Sequence, residues 1–172
     1  TAVQRGFVSH YDATFVAEGL RNGFKLGVDI NKMRGHRQFN NYKSSIEAAV
    51  SVSKAVQERV DSHKTVDLGP WTPELDSTIR TLYPSSCIFP MGAVGKSVEE
   101  YLNEKRPTDD HTRTGLNAAT EMKGLRYGLD TYKDIAEGFK KYYFMRVSDV
   151  KGAFPILPLH PDLWPFFLFR FF

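Results

Sequence analysis

The chain has 172 residues, room for one domain with a buried core, and its 41% hydrophobic and 25% charged content excludes a disordered or fibrous protein. Lysine plus arginine exceeds aspartate plus glutamate by 23 to 20, so the overall field does not by itself argue for nucleic acid and any basic groove must be local. Cys87 is the only cysteine, which excludes an internal disulfide and a thiolate zinc cluster and fits an intracellular location, cytoplasmic or nuclear.

The opening string TAVQRGFVSHYDATF has neither a charged-then-apolar leader nor an initiating methionine, and reads as the interior of a longer polypeptide. Phe15, Val16, Leu20 and Phe24 then recur near helical spacing, with Gly23 close to the expected stop, so a short helix should end before Gly27. NKMRGHRQFNN, from Asn31 to Asn41, is polar, basic and turn-rich and is expected as a surface loop. From Tyr42 to about His63 a helix is expected, with Ile46, Ala49, Val50, Ser53, Val56 and Val60 as its apolar stripe.

DLGPWTPELDSTIRTLYPSS carries Gly-Pro, Thr-Pro and Tyr-Pro steps and reads as a long connection that is not helical throughout. SSCIFPMGAVGKS is an apolar run with Gly92 and Gly95, expected as a strand or hairpin arm whose backbone bends closely around something. SVEEYLNEKRPTDDHTRTGLN is strongly polar and reads as an exposed hairpin or loop. A second helix is expected from about Leu129, with Tyr132, Ile135, Ala136 and Phe139 on one face, running into the apolar string YYFMRVSDV.

Residues Pro155 to Phe172 are apolar, but His160, Asp162, Arg170 and four prolines interrupt them, so no membrane helix is expected. WPFFLFRFF reads instead as an aromatic strand that ends in mid-element, and the expectation is that the chain is a fragment. The order of helices, strands with polar loops, helix and strand predicts an α+β fold.

GAVGKS ends like a phosphate-binding P-loop, but the position that needs the first glycine is Pro90, which has no amide to turn toward a phosphate. That excludes the P-loop while leaving Lys96 as a point-charge phosphate contact or a solvated turn lysine. Arg106 stands four residues before Asp110, a spacing that on a bent strand lets the acid orient the guanidinium fork; on local grounds alone a mixed-charge surface hairpin is the better reading, since charge runs are usually solvated. His10, His36, His63, His111 and His160 show no pair at metal-ligand spacing, and His160 reads as a histidine packed at a turn. Asp149 closes an apolar string and is followed by Val150, then Gly152, Ala153 and Phe154. Such a carboxylate suits a hard cation with the Val150 carbonyl beside it, or simply ends a strand in a turn.

SDVKGAF resembles the first catalytic motif of reverse transcriptases, and the PLHPD that follows is common in retroelement polymerases. GAVGKS resembles the fingers lysine segment of that family, and KRPTDDHTRTGLN its Arg-x-x-x-Asp segment with a trailing asparagine. LRNGFKLGVD, NNYKSS and DLGPW are similar to the leader before the polymerase core in retroelements of the tyrosine-recombinase, DIRS-like group. The resemblance covers most of the chain. It implies a helical leader and linker over residues 1–80 and, over 81–172, the fingers and first palm strand of an incomplete right-hand polymerase.

It further implies an RNA-directed DNA polymerase that binds an RNA or DNA template-primer and a deoxynucleoside triphosphate, with Mg2+ as cofactor. Asp149 would be the catalytic ligand of both magnesium ions and Val150 would lend its carbonyl to one. Lys96, or alternatively Lys105, and Arg106 would contact the triphosphate, with Asp110 supporting the fingers. Ala153 would leave room for the nucleotide, and Phe154 would be the steric gate against a ribose 2′-hydroxyl. Gly152 stands where many relatives carry a polar residue, and Pro107 follows the arginine. The family's paired aspartates lie downstream of the first motif, and one aspartate does not hold two magnesium ions in catalytic geometry. The expectation is therefore an inactive part of a polymerase, with a non-catalytic nucleic-acid-binding or structural remnant of a retroelement as the alternative.

Overall fold

A computed structural model describes residues 10–95, 105–121 and 157–171, which form an α+β arrangement of short helices around two small sheets. Helix α1 covers His10–Asn22 and stops where expected: Gly23 takes φ 87° and returns its amide to the Gly19 carbonyl at 2.9 Å. A Cβ at Gly23 would collide with the backbone of Leu159 and His160, so glycine serves both the left-handed turn and the close approach. The next residues tie down two distant segments. The Phe24 amide donates to Pro158 O at 2.8 Å, and the amides of Asp29 and Glu121 donate to Ala119 O and Gly27 O, each at 2.8 Å.

The string expected as a surface loop contains strand β1, His36–Gln38. It pairs in parallel with β2, Ser86–Phe89, which pairs in parallel with β5, Leu168–Phe169, giving the order β1-β2-β5. Three residues of polar sequence carry no period-2 signal, and only the β2 partner, buried along its whole length, makes them a strand. Helix α2, Lys43–Glu47, and α3, Ala49–Asp61, replace the single expected helix, with a break at Ala48.

The buried face shares only Val56 with the expected stripe. Ser45, Ala48, Val52 and Val56 face inward, whereas Ile46 and Val50 are 55% and 86% exposed. The cause is β3, Met91–Gly95, which lies against this face. The Ser45 hydroxyl donates to Met91 O at 2.8 Å, and Ser44 Oγ accepts the Ala93 amide at 3.1 Å, so small hydroxyl residues are placed where the helix approaches strand backbone.

Within the expected long connection, helix α4 covers Pro73–Leu82. Its start follows local chemistry: Thr72 Oγ1 accepts the Leu75 amide at 3.2 Å, Pro73 occupies the first turn, and Glu74 and Asp76 lie where the dipole favours acids. The Thr-Pro step thus opens a helix instead of preventing one. Strand β4, Lys105–Asp109, forms an antiparallel hairpin with β3, and the short helix α5 is Leu116–Ala119. In the expected aromatic strand, Pro161–Phe166 forms a 3-10 helix and only Leu168–Phe169 is strand. Pro161 and Pro165 offer no amides to a ladder, which accounts for the difference.

Two apolar clusters result. One joins Ala48, Val52 and Val56 to Phe89, Met91 and Ala93, with Phe169 and Phe171 packed against it. The other gathers Met33, Cys87, Leu116, Ala119 and Phe166, with Val28, Phe39 and Phe167 at its margin. The expected helix from Leu129 and the string YYFMRVSDV lie outside the described residues.

Candidate functional site

The β3–β4 hairpin carries the described part of the site. Its register pairs Met91 with Asp109, Gly92 with Thr108, Ala93 with Pro107, Val94 with Arg106 and Gly95 with Lys105. Pro107, which follows the arginine, is accommodated within the ladder opposite Ala93. Because side chains alternate across a strand, Ala93 and Met91 turn toward Val52 and Val56 while Arg106, opposite the 39% exposed Val94, turns to solvent. Arg106 is therefore displayed on the outer face of a two-stranded antiparallel arm.

Asp110 lies just past β4, and its role differs from the one its spacing suggested. Four residues along an extended strand cover about 13 Å, and among the described residues no ion pair joins Arg106 to Asp110. Asp110 instead organises the root of the hairpin. Its Oδ2 accepts the Tyr42 hydroxyl at 2.5 Å, and its Oδ1 accepts the amides of Thr112 and Arg113, each at 3.0 Å. The Tyr42 hydroxyl, then the Arg113 and Thr112 amides and the Arg113 charge, hold the Asp110 carboxyl below the usual aspartate range against a smaller opposing effect of burial. The turn thus built sets the exposed Arg113 guanidinium 5.8 Å from the Phe39 ring centroid and 5.5 Å from that of Tyr42. Asp110 supports the hairpin, but through Tyr42 and the backbone.

A second anchor crosses the hairpin. Arg59 on α3 donates to Asp109 Oδ2 at 3.2 Å, with both side chains about three-quarters buried. Neither Tyr42, Arg113 nor Arg59 stood out in sequence as a partner of this segment. NNYKSS lies far from DDHTR in the chain, and no spacing rule links them.

Lys96, Asp149, Val150, Ala153 and Phe154 lie outside the described residues. Lys105, the alternative to Lys96, pairs with Gly95 at the far end of the ladder from the Tyr42–Asp110 contact. Among the described residues no cluster of three or more His, Cys, Asp or Glu side chains forms a metal-binding group. His160 does pack at a turn: its Nδ1 accepts the Asp162 amide at 3.3 Å. No described helix is long and apolar enough to cross a membrane. Comparison with protein families, curated proteins and solved structures finds no match to this chain.

Proposed function

We propose that the chain belongs to an RNA-directed DNA polymerase, supplying the fingers and the first palm segment that hold a deoxynucleoside triphosphate and Mg2+ over a template-primer. The observation that supports this best is the antiparallel pairing of MGAVG with KRPTD, which presents Arg106 to solvent on an arm anchored at its root. That arm precedes SDVKGAF in the chain, the order in which a triphosphate contact and a metal-binding aspartate occur in the family this sequence resembles. Phosphoryl transfer asks for cations on the phosphates and metals on the attacking and leaving oxygens. In this reading Arg106, with Lys96 or Lys105, binds the triphosphate, Asp149 and the Val150 carbonyl hold magnesium, and Ala153 and Phe154 shape the sugar pocket.

Binding of a fluorescent deoxynucleoside triphosphate to the protein with a template-primer tests the reading. Binding should require Mg2+, weaken about tenfold or more with Arg106→Ala, as expected for loss of a charge-assisted contact, and be lost with Asp149→Asn. Magnesium-independent binding, or binding indifferent to Asp149→Asn, overturns it. Since one aspartate does not hold two ions, these 172 residues should not extend a primer alone; clear extension would refute that part. Salt-sensitive nucleic-acid binding with no nucleotide binding would favour the remnant instead.

A further inference from the structure

Two adjacent residues at the root of the β3–β4 arm are held from opposite faces. Asp109 ends β4 opposite Met91, on the side that turns toward Val52 and Val56, and its Oδ2 accepts from Arg59 Nη1 in the last turn of α3 at 3.2 Å. Asp110 continues the ladder through its amide, which donates to Pro90 O at 3.2 Å. Alternation puts its carboxylate on the other face, where it accepts the Tyr42 hydroxyl. The Tyr42 ring also borders Gly92 on that face: a Cβ there would meet Tyr42 Cδ2 at 3.5 Å and Thr108 Oγ1 at 2.8 Å.

The two grips differ in chemistry. The Asp110 carboxylate is shared between the Tyr42 hydroxyl and the Thr112 and Arg113 amides. Asp109 Oδ1, by contrast, is buried without a hydrogen-bond partner, so the carboxylate is compensated through Oδ2 by the Arg59 guanidinium, and both side chains are mostly withdrawn from water. Such a pair is screened little by salt. Arg59 stands where the α3 dipole favours a cation, and α3 itself is seated by Val52 and Val56 in the cluster that holds Met91 and Ala93. Arg106 lies three residues before Asp109 on the same strand, about 10 Å away. A tilt of roughly 10° at the root therefore carries Arg106 by about 2 Å, more than a charge-assisted hydrogen bond tolerates.

We propose that Arg59 is a positioning residue: by pairing with Asp109 it sets the tilt of the hairpin against α3, and with it the place where the Arg106 guanidinium is presented. For nucleotide binding this rests on the reading of Arg106 as a triphosphate contact; for the orientation of the arm it does not. Arg59 touches no substrate in this scheme. Tyr42 holds the opposite face of the same root, so the tilt is bounded from both sides and Arg59 supplies the bound that is tied to the core helix.

Residual dipolar couplings of the isotope-labelled protein, partly aligned in a dilute gel, report the orientation of the arm without any ligand. In Arg59→Gln the couplings of the Val94, Gly95, Lys105 and Arg106 amides should shrink or change relative to those of α3, and Arg59→Lys should restore most of the wild-type pattern. Where Arg59→Gln fails to fold because Asp109 is left uncompensated, Arg59→Met combined with Asp109→Leu, which leaves no charge at the contact, takes its place. Couplings unchanged in a folded variant overturn the proposal. The second readout is binding of a fluorescent deoxynucleoside triphosphate with Mg2+ and a template-primer: Arg59→Gln should weaken it about fivefold or more, and should add nothing once Arg106→Ala is present. A further loss in the Arg106→Ala background also overturns the proposal, since Arg59 would then act by another route. A wild-type protein that binds no triphosphate, while its arm still reorients in Arg59→Gln, removes the polymerase reading and leaves the positioning of the arm supported.

Discussion

Helices α1 and α3 are each thirteen residues long and each carry an apolar stripe, yet they end in different surroundings. Helix α3 buries Val52 completely and leaves Val56 8% exposed, whereas α1 leaves Phe15, Val16 and Leu20 55%, 47% and 57% exposed. The difference lies in what meets each helix. Over α2 and α3 the β3–β4 hairpin is fixed by Ser44, Ser45 and the Arg59–Asp109 pair, so apolar contact and hydrogen bonding reinforce one another. Over α1 the described cover is chiefly Phe24, whose ring fits against Gly19 and meets Phe15 edge-on with centroids 5.7 Å apart. An amphipathic pattern therefore states that a face can be covered, while directional polar contacts decide where the cover is held.

Substitutions on the two sides of this comparison should differ in effect. Met91→Ala removes a fully buried side chain from the hairpin side of the cluster and should cost about 2 to 5 kcal/mol in urea unfolding. Val52→Ala, on the helix side of the same contact, should cost about 2 to 3 kcal/mol; a loss under half of that would mean that the hairpin does not depend on α3. Tyr42→Phe keeps the ring beside Arg113 but removes the hydroxyl from Asp110, and should cost about 1 kcal/mol at neutral pH. Asp110 is held below the usual carboxylate range, so its contribution is present above the unfolded value and is lost as pH falls through the lower folded value. Tyr42→Phe should accordingly lessen the loss of stability in strong acid, measured by unfolding from pH 5 downward. Leu20→Ala, on the open face of α1, should change stability by less than about 0.5 kcal/mol. A larger effect would show that something covers α1 in solution.

The two arms of the site were unequally legible. Gly92, Gly95 and the apolar run marked a hairpin arm, and the polar string after it marked the return, because turn residues and β-formers act locally. Spacing offered an Arg106–Asp110 pairing that the geometry does not form: on an extended strand Asp110 lies beyond reach of Arg106, while Tyr42, distant in sequence, is in contact. Likewise the Thr-Pro step was taken as a break, although a proline following a capping threonine is well suited to begin a helix.

By itself, the sequence determined the α+β class, the end of α1 at Gly23, the exclusion of a P-loop at Pro90 and the turn position of His160, all consequences of backbone restrictions carried by single residues. Only the tertiary structure decided that His36–Gln38 is a strand, that the helix after Tyr42 breaks at Ala48 and presents Ser45 instead of Ile46, and that Asp110 serves Tyr42. Each of those outcomes depends on a partner far along the chain, supplied by β2, β3 or the loop before α2. Local propensity carries no information about which distant backbone will arrive to satisfy a given amide, carbonyl or carboxylate.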